Sequence, residues 1–167
     1  MDEYDFFFCP KCGEGLHPDE HRSLACNSCG LRMFVNPKPT NAAIIRNKEG
    51  AVLLVKRKLD PKKGFWDVPG GFVDIKETIE QSVEREIHEE LCAKVESMRY
   101  VGSTNGRYLF GEINYYSVCM WFEVALDNEE EIESGDDVVE VAWFDENEIP
   151  WDRIAFKGVV DGLKNWL

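Results

Sequence analysis

The sequence predicts an α/β fold, in which a mixed β-sheet is covered by helices on both faces, preceded by a short cysteine-rich segment. Three observations support this prediction. Strand-like and helix-like segments alternate from residue 42 to the last residue. One segment carries an apolar residue at every fourth position, as an amphipathic helix does. Four of the six cysteines lie in the first 38 residues, where apolar periodicity is weak.

Apolar periodicity and turn residues define the individual elements. Alternating or continuous apolar runs predict strands over residues 42–46, 51–57, 99–103, 115–125 and 138–144. Helices are predicted over 77–91, where the four-residue apolar repeat lies, and over 152–167, which is amphipathic.

A proline-rich joint separates the cysteine-rich segment from these elements. Residues 36–40 are Asn-Pro-Lys-Pro-Thr, and each proline disfavours helical geometry in its predecessor. We therefore expect two domains, residues 1–38 and residues 39–167.

Composition and charge limit the possible functions. Apolar residues make up 44% of the chain and charged residues 31%, which is typical of a globular protein. The net charge of −13, from 32 acids against 19 bases, argues against binding to duplex nucleic acid, which requires a basic surface. Anionic substrates stay possible, because divalent metal ions reverse the local field in a site.

The chain carries no sequence signal for a membrane or for secretion. No apolar run approaches the roughly 20 residues that span a bilayer. The first five residues, Met-Asp-Glu-Tyr-Asp, are acidic where a secretory signal is basic. We expect a cytoplasmic protein, in which thiols stay reduced and the cysteines form no disulfide framework.

Two matched C-x-x-C-G motifs predict a structural zinc site. The first contains Cys9 and Cys12, and the second contains Cys26 and Cys29. Four thiolates at this spacing suit a closed tetrahedral zinc site, and the glycine after each pair lets backbone amides turn toward the sulfurs. The alternatives are a redox pair or unligated thiols. A segment this short has little core, so metal ligation would supply its stability.

The predicted helix over 77–91 carries acids on one face. Glu86, Glu89 and Glu90 lie at positions i, i+3 and i+4, so like charges are neighbours. A divalent ion with oxygen ligands, Mg²⁺ or Mn²⁺, would neutralise them. A solvated acidic helix face is the alternative. The preceding glycines, Gly70 and Gly71, favour the metal site because they allow close backbone approach.

Residues 71–93 resemble the Nudix box, G-x5-E-x7-R-E-U-x-E-E-x-G-U, where U is aliphatic. The matching residues are Gly71, Glu77, Arg85, Glu86, Ile87, Glu89 and Glu90. Cys92 stands where the family has glycine, at a helix end where a left-handed residue is common, and this costs about 1 kcal/mol. Ala93 stands where the family has a larger aliphatic residue. With its cysteine motifs, the chain resembles the zinc-ribbon branch of the superfamily, so we expect an α/β/α sandwich behind a zinc ribbon.

The resemblance implies a metal-dependent hydrolase of nucleoside diphosphate linkages. It implies that Glu86, Glu89 and Glu90 bind Mg²⁺ or Mn²⁺ and that a further acid comes from the loop before Trp143. Asp137, as a further metal ligand, and Glu140 are the candidates for that acid. The general base stays open among Glu89, Asp137 and Glu140. The residues themselves suggest that Arg85 can pair with Glu77 and brace the loop against the helix.

Substrate contacts and substrate identity are less defined. The expected contacts are Arg57 in the basic segment 56–63, Gly70 and Gly71 by backbone approach, and Phe72 and Tyr108 by stacking on a base, although both aromatic residues also suit a core. Residues 103–110 lack the S-Q-P-W-P-F-P-x-S array of NADH pyrophosphatases beyond its first serine. ADP-ribose, NADH and nucleotide sugars stay open, with ADP-ribose-like substrates favoured.

Two other functional classes compete with the enzyme. A non-catalytic nucleotide-sensing regulator predicts lost metal ligands, whereas all are present. A zinc-ribbon interaction module predicts a basic or aromatic ribbon, whereas residues 1–30 carry six acids and two bases. We expect a nucleotide-derived small molecule as the partner, no duplex nucleic acid and no membrane, and we leave a homodimer open.

Overall fold

The structure is a computed structural model that describes residues 6–21, 23–110, 113–129, 132–135 and 137–167. The chain divides into two compact units. The first comprises Met1–Pro37 and Tyr108–Tyr116, and the second comprises Lys38–Arg107 and Ser117–Leu167. The division of the chain into domains at residues 1–38 and 39–167 stays a prediction.

The first unit contains a small antiparallel sheet beside the cysteines. Its strands are β1 (Leu16–Pro18), β2 (Leu24–Cys26) and β3 (Arg32–Met33), with β2 in the centre. Among the described residues, the buried apolar side chains of its core are those of Cys9, Leu16, Leu24 and Cys26. Two of these four are cysteines, so few apolar side chains other than thiols stabilise this sheet among the described residues.

The remaining strands form two three-stranded sheets. The first has the order β4 (Lys38–Ile45), β8 (Ile113–Leu126) and β7 (Val95–Phe110), and β4 runs parallel to β8. The second has the order β6 (Trp66–Asp67), β5 (Val52–Arg57) and β9 (Val138–Phe144), and β5 is antiparallel to both neighbours. Parallel and antiparallel pairs are both present, as predicted for a mixed architecture.

Two helices pack against opposite sides of the strands. α1 (Ile79–Leu91) buries Val83, Ile87 and Leu91 in a cluster that also holds alternate residues of β4, β5 and β8, namely Ala43, Ile45, Leu53, Val55, Phe122, Val124 and Leu126. α2 (Lys157–Trp166) buries Leu163 against the intervening residues Ala42, Ile44, Val52, Leu54 and Trp121. Since successive side chains of a strand point to opposite faces, the strands lie between the two helices. The predicted α/β/α arrangement is confirmed.

Several element boundaries differ from the prediction, each for a physical reason. The last three residues of the proline-rich joint, 38–40, are the first part of β4, which lies at the edge of its sheet, where a missing proline N–H is tolerated. α1 begins at Ile79 because Thr78 is its N-cap, with a capping box to Gln81. The tail is a short 3-10 turn, Trp151–Arg153, followed by α2 from Lys157.

The strand predicted over 99–103 extends over Val95–Phe110, because pairing in the sheet overrides the polar residues of its second half. Within the part of the chain that the structure describes, no helix is long and apolar enough to cross a membrane.

Candidate functional site

Helix α1 presents its glutamates beside a face that is fixed in the core. Val83, Ile87 and Leu91 have no accessible surface, so the rotation of the helix is determined by packing. The side chain of Glu86 is largely buried, with 13% of it exposed, whereas the side chain of Glu89 is 54% exposed. Glu90 is also half-buried. The predicted helix face for these acids is therefore correct.

The loop before α1 lies directly against two of these carboxylates. The backbone N–H of Gly70 donates to Glu90 Oε2 at 3.0 Å. A Cβ placed on Gly71 would come within 2.3 Å of Glu86 Oε1, so a side chain at residue 71 would displace the Glu86 carboxylate. Gly70 has φ of 141°, and a Cβ there would lie 2.4 Å from the carbonyl oxygen of Asn41. The expected close backbone approach of Gly70 and Gly71 is thus made to the protein's own carboxylates.

Arg85 is the centre of the hydrogen-bond network at this site. Its Nε donates to Glu77 Oε1 at 2.9 Å, and its Nη1 donates to Glu86 Oε1 and Glu89 Oε2, each at 2.9 Å. Its Nη2 donates to the carbonyl oxygen of Phe72 at 2.9 Å and to Glu77 Oε2 at 3.1 Å. Arg85 therefore ties the loop to the helix, as predicted, and also separates the carboxylates of Glu86 and Glu89.

The electrostatic environments of the acids differ. The hydrogen bonds from Arg85 lower the pKa of Glu77, which suits a permanently charged brace. Burial raises the pKa of Glu86, and burial raises the pKa of Glu90 to about 8. Glu90 accepts a hydrogen bond from the Gly70 amide, and the negative charges of Glu86 and Asp67 add to the effect of burial on its pKa. Two desolvated carboxyls of this kind suit a bound divalent cation, which favours their ionised forms.

Asp67 belongs to the same acidic region and is absent from the site residues predicted from the sequence. It is buried on β6, and burial raises its pKa to about 6. Arg57 Nη1 donates to Asp67 Oδ2 at 3.1 Å, and the charges of both residues act on Glu90. The available signal was an aspartate between Trp66 and Val68 in an otherwise apolar lead-in to the glycine pair.

The predicted acids near Trp143 lie in different environments. Asp137 is exposed, and its carbonyl oxygen accepts from the Lys58 amide at 3.0 Å. Glu140 forms an ion pair with Lys56, its neighbour across β5 and β9. Lys56 lies opposite Trp66 of β6, and Trp66 belongs to the core on the α2 side of the strands. Asp67 pairs with Val55 and therefore faces the α1 side. The structure does not bring Glu140 to the carboxylates of α1.

The residues that were predicted to contact the substrate also lie in different environments. Arg57 is engaged by Asp67 and by the carbonyl oxygen of Pro61, to which its Nε donates at 3.0 Å. The side chain of Phe72 is 44% exposed, beside the glycine pair. The side chain of Tyr108 lies outside the described part of the structure, so its predicted stacking role stays a prediction.

The four cysteines of the ribbon converge as the motif predicts. The sulfurs of Cys9, Cys12, Cys26 and Cys29 all lie within 4.8 Å of one another. The Gly13 N–H donates to the Cys9 carbonyl at 2.9 Å, and the Gly30 N–H donates to the Cys26 carbonyl at 3.0 Å, so the two turns have the same construction. Both glycines have positive φ, 81° and 72°. The arrangement fits a tetrahedral metal ion with four sulfur ligands.

Backbone amides also reach a sulfur of this cluster. Hydrogen bonds from the Cys29 and Ser28 amides lower the pKa of Cys26 to about 7, which favours the thiolate that a metal requires. His17 and His21, between the two motifs, are exposed. They stand apart from the set of converging ligand atoms.

Cys92 ends α1 in the left-handed conformation. Its φ is 54° and its ψ is 19°, and its N–H donates to the His88 carbonyl at 3.0 Å. The helix therefore ends as a glycine-terminated helix does, although the residue is a cysteine with an exposed side chain. The prediction of a left-handed residue at this position is confirmed.

Known proteins resemble this chain over most of its length. The family model described as NUDIX domain matches residues 36–161. An ADP-ribose pyrophosphatase from Methanocaldococcus jannaschii is 38% identical over 137 residues, which is 81% of this chain and 78% of that protein. An NAD-capped RNA hydrolase NudC from Pseudomonas aeruginosa is 26% identical over 86% of this chain, but the match spans about half, 49%, of that relative.

A solved structure agrees with this similarity. The crystal structure of a NUDIX hydrolase from Nitrosomonas europaea has a TM-score of 0.68 and 30% identity, and it covers 96% of this chain and 90% of its own.

Proposed function

Since the chain belongs to the Nudix hydrolase family, we propose that it hydrolyses the diphosphate linkage of ADP-ribose-like nucleotides with Mg²⁺ or Mn²⁺ held by the acids of α1. The main support for this proposal is the contact of the Gly70–Gly71 loop with Glu90 and Glu86. Two desolvated carboxyls with raised pKa lie there against the backbone of a glycine pair. Carboxylate oxygens are the donors that a divalent ion bound to a diphosphate needs.

In this proposal the residues of the site have different roles. Glu86 and Glu90 hold the metal most directly, because they are the desolvated acids that touch the loop. Glu89 is more exposed and is held by Arg85. Arg85 and Glu77 fix the loop, so the glycine pair keeps its distance from the carboxylates. When bound, divalent metal ions neutralise the diphosphate and activate water for attack at phosphorus.

The general base is taken from the exposed acids among the predicted site residues. Glu89 on α1 and Asp137 in the segment before β9 stay the candidates, since both are exposed. Glu140 is left out, because it is paired with Lys56 on the α2 side of the strands. Asp137 also stays a candidate metal ligand.

ADP-ribose is favoured among the possible substrates for two reasons. A relative with 38% identity, over most of both chains, is an ADP-ribose pyrophosphatase. Residues 103–110 also lack the array of NADH pyrophosphatases beyond its first serine. The relative that hydrolyses NAD-capped RNA supports a dinucleotide as the second candidate.

We further propose that the cysteine cluster holds one structural Zn²⁺ and that residues 1–38 and 39–167 are separate domains. The four converging sulfurs support the metal, and four ligands leave no open position for chemistry. Such a set requires reduced thiols, so we infer a cytoplasmic location.

A substrate screen tests the proposed function. The purified protein is assayed with Mg²⁺ or Mn²⁺ against ADP-ribose, NADH, nucleotide sugars and nucleoside triphosphates. We expect ADP-ribose to give AMP and ribose 5-phosphate with the highest kcat/KM. The Glu90→Gln variant should be inactive, and Glu84→Gln, an exposed acid of the same helix, should match the wild type. Preference for NADH would refute the substrate ranking, and activity confined to triphosphates would refute the proposal.

A further inference from the structure

Two polar side chains are buried where β4 meets α1. Asn41 is 4% exposed and Ser82 is 0% exposed, and their chain neighbours Ala42 and Val83 belong to the two apolar cores. Burial of an amide and a hydroxyl disfavours folding unless they are hydrogen-bonded, so both groups require partners at this position. Neither residue has a role in the proposed chemistry.

These side chains form a hydrogen-bond chain that ends on the loop before α1. Asn41 Nδ2 donates to Ser82 Oγ at 2.8 Å, and Ser82 Oγ donates to the carbonyl oxygen of Phe72 at 3.2 Å. The direction is fixed, because a carbonyl oxygen only accepts, so the hydroxyl proton goes to Phe72 and the amide of Asn41 must be the donor. Arg85 Nη2 donates to the same carbonyl at 2.9 Å.

Asn41 also holds the loop through its backbone. Its N–H donates to the carbonyl oxygen of Gly71 at 2.9 Å. Its carbonyl oxygen and its Oδ1 lie against Gly70, where a Cβ would come within 2.4 Å and 2.9 Å of them. Asn41 Oδ1 has no hydrogen-bond partner among the described residues. Asn41 therefore touches both glycines of the loop, through its backbone at Gly71 and through its backbone and side chain at Gly70.

The loop segment that these contacts fix is the one that touches the carboxylates. Gly70 donates to Glu90, Gly71 packs on the carboxylate of Glu86, and Phe72 accepts from Ser82 and Arg85. A shift of this backbone would change the position of Glu86 and Glu90 relative to each other. Arg85 restrains the loop from the exposed side, and Asn41 and Ser82 restrain it from the buried side.

We propose that Asn41 and Ser82 are positioning residues, which hold residues 70–72 so that Glu86 and Glu90 keep the geometry that the metal requires. This inference rests on the proposed function of the same site. The first test uses metal-free protein and is independent of activity. Amide hydrogen exchange of Gly70 should become about 10-fold faster in Ser82→Ala, because one restraint on the loop is lost.

A double variant separates positioning from stability. Replacing both partners by apolar side chains, in Asn41→Leu with Ser82→Ala, removes the polar groups together and should return thermal stability close to that of the wild type. The loop should still exchange faster, kcat should fall about 10-fold or more, and the Mg²⁺ concentration for half-maximal rate should rise, with KM little changed. Val83→Ala, in the adjacent core, is the control: it should lower thermal stability and leave Gly70 exchange and the Mg²⁺ dependence unchanged.

The outcomes distinguish this proposal from the proposed function. Wild-type exchange of Gly70 in both the single and the double variant would overturn the positioning role, whatever the activity. A stable double variant with normal kcat and normal Mg²⁺ dependence would also overturn it. A wild-type protein without pyrophosphatase activity would refute the proposed function, whereas the exchange measurement would still decide whether Asn41 and Ser82 hold the loop.

Discussion

Glu90→Gln should stabilise the metal-free protein while it abolishes turnover. Burial raises the pKa of Glu90 from its ordinary value of 4.5 to about 8. Between these values the folded protein keeps the proton that the unfolded chain releases, so the unfolding free energy falls as the pH rises toward 8. The full penalty is absent below pH 4.5 and is largest above pH 8. Glutamine is neutral throughout and removes this penalty.

The magnitude follows from the same shift. A pH of 7 lies about 2.5 units above the ordinary pKa of Glu90. At about 1.36 kcal/mol per unit, the raised pKa lowers the unfolding free energy of the wild type by about 3 kcal/mol at this pH. The glutamine amide is still partly desolvated, and this offsets about 1–2 kcal/mol. We therefore expect the unfolding free energy of metal-free Glu90→Gln to exceed that of the wild type by about 1–3 kcal/mol at pH 7, and the difference to fall below about 1 kcal/mol at pH 5.

Urea denaturation in the presence of a chelator measures this difference at both pH values. Added Mg²⁺ should stabilise the wild type increasingly as the pH approaches 8, because the metal requires the ionised carboxylate, and it should have little effect on the variant. Glu84→Gln provides the matched control, with a change within about 0.5 kcal/mol. Equal stability of Glu90→Gln and the wild type at pH 7, or near-normal turnover of the variant, would refute the reasoning.

Three further predictions concern the helix end, the ribbon and the arginine. Cys92→Gly should raise the unfolding free energy by about 0.5–1 kcal/mol, because relief of the left-handed conformation outweighs the flexibility added to the unfolded chain; an unchanged or lower midpoint in urea would contradict it. The purified protein should contain one zinc per chain by elemental analysis, and four freely reactive ribbon thiols in the native state would exclude the site. Arg85→Lys should lower kcat about 10–100-fold, because lysine cannot bridge Glu77 and the Phe72 carbonyl together; steady-state kinetics showing normal kcat would exclude the bracing role.

The features that are predictable from the sequence are those encoded in short segments. The rotation of α1 follows from its own apolar stripe, so the stripe alone places Glu86 and Glu90 on the correct face. The cysteine cluster depends on two C-x-x-C-G turns, each of which is determined by five consecutive residues. The left-handed position of Cys92 follows from its distance to the helix end.

The features that sequence reasoning misses depend on contacts between distant segments. Asn41 and Ser82 are 41 positions apart, and only the packing of β4 on α1 makes their hydrogen bond visible. Glu140 stands three residues after Asp137, but strand alternation directs it toward Lys56 and the other face. Asp67 stands out in the sequence only as an acid between Trp66 and Val68, and its place beside Arg57 depends on the position of β6 in the sheet. The packing of distant segments determines where these side chains lie, and the local periodicity of the sequence does not report that packing.

Hydrolysis of ADP-ribose in heavy-oxygen water tests the central claim most directly. The protein is incubated with Mg²⁺ and ADP-ribose, and the products are analysed by mass spectrometry. Attack of water at phosphorus predicts AMP and ribose 5-phosphate, with the label on one of the two phosphates and on no sugar carbon. Label on a sugar carbon, or products without a monophosphate, would contradict cleavage of the pyrophosphate bond.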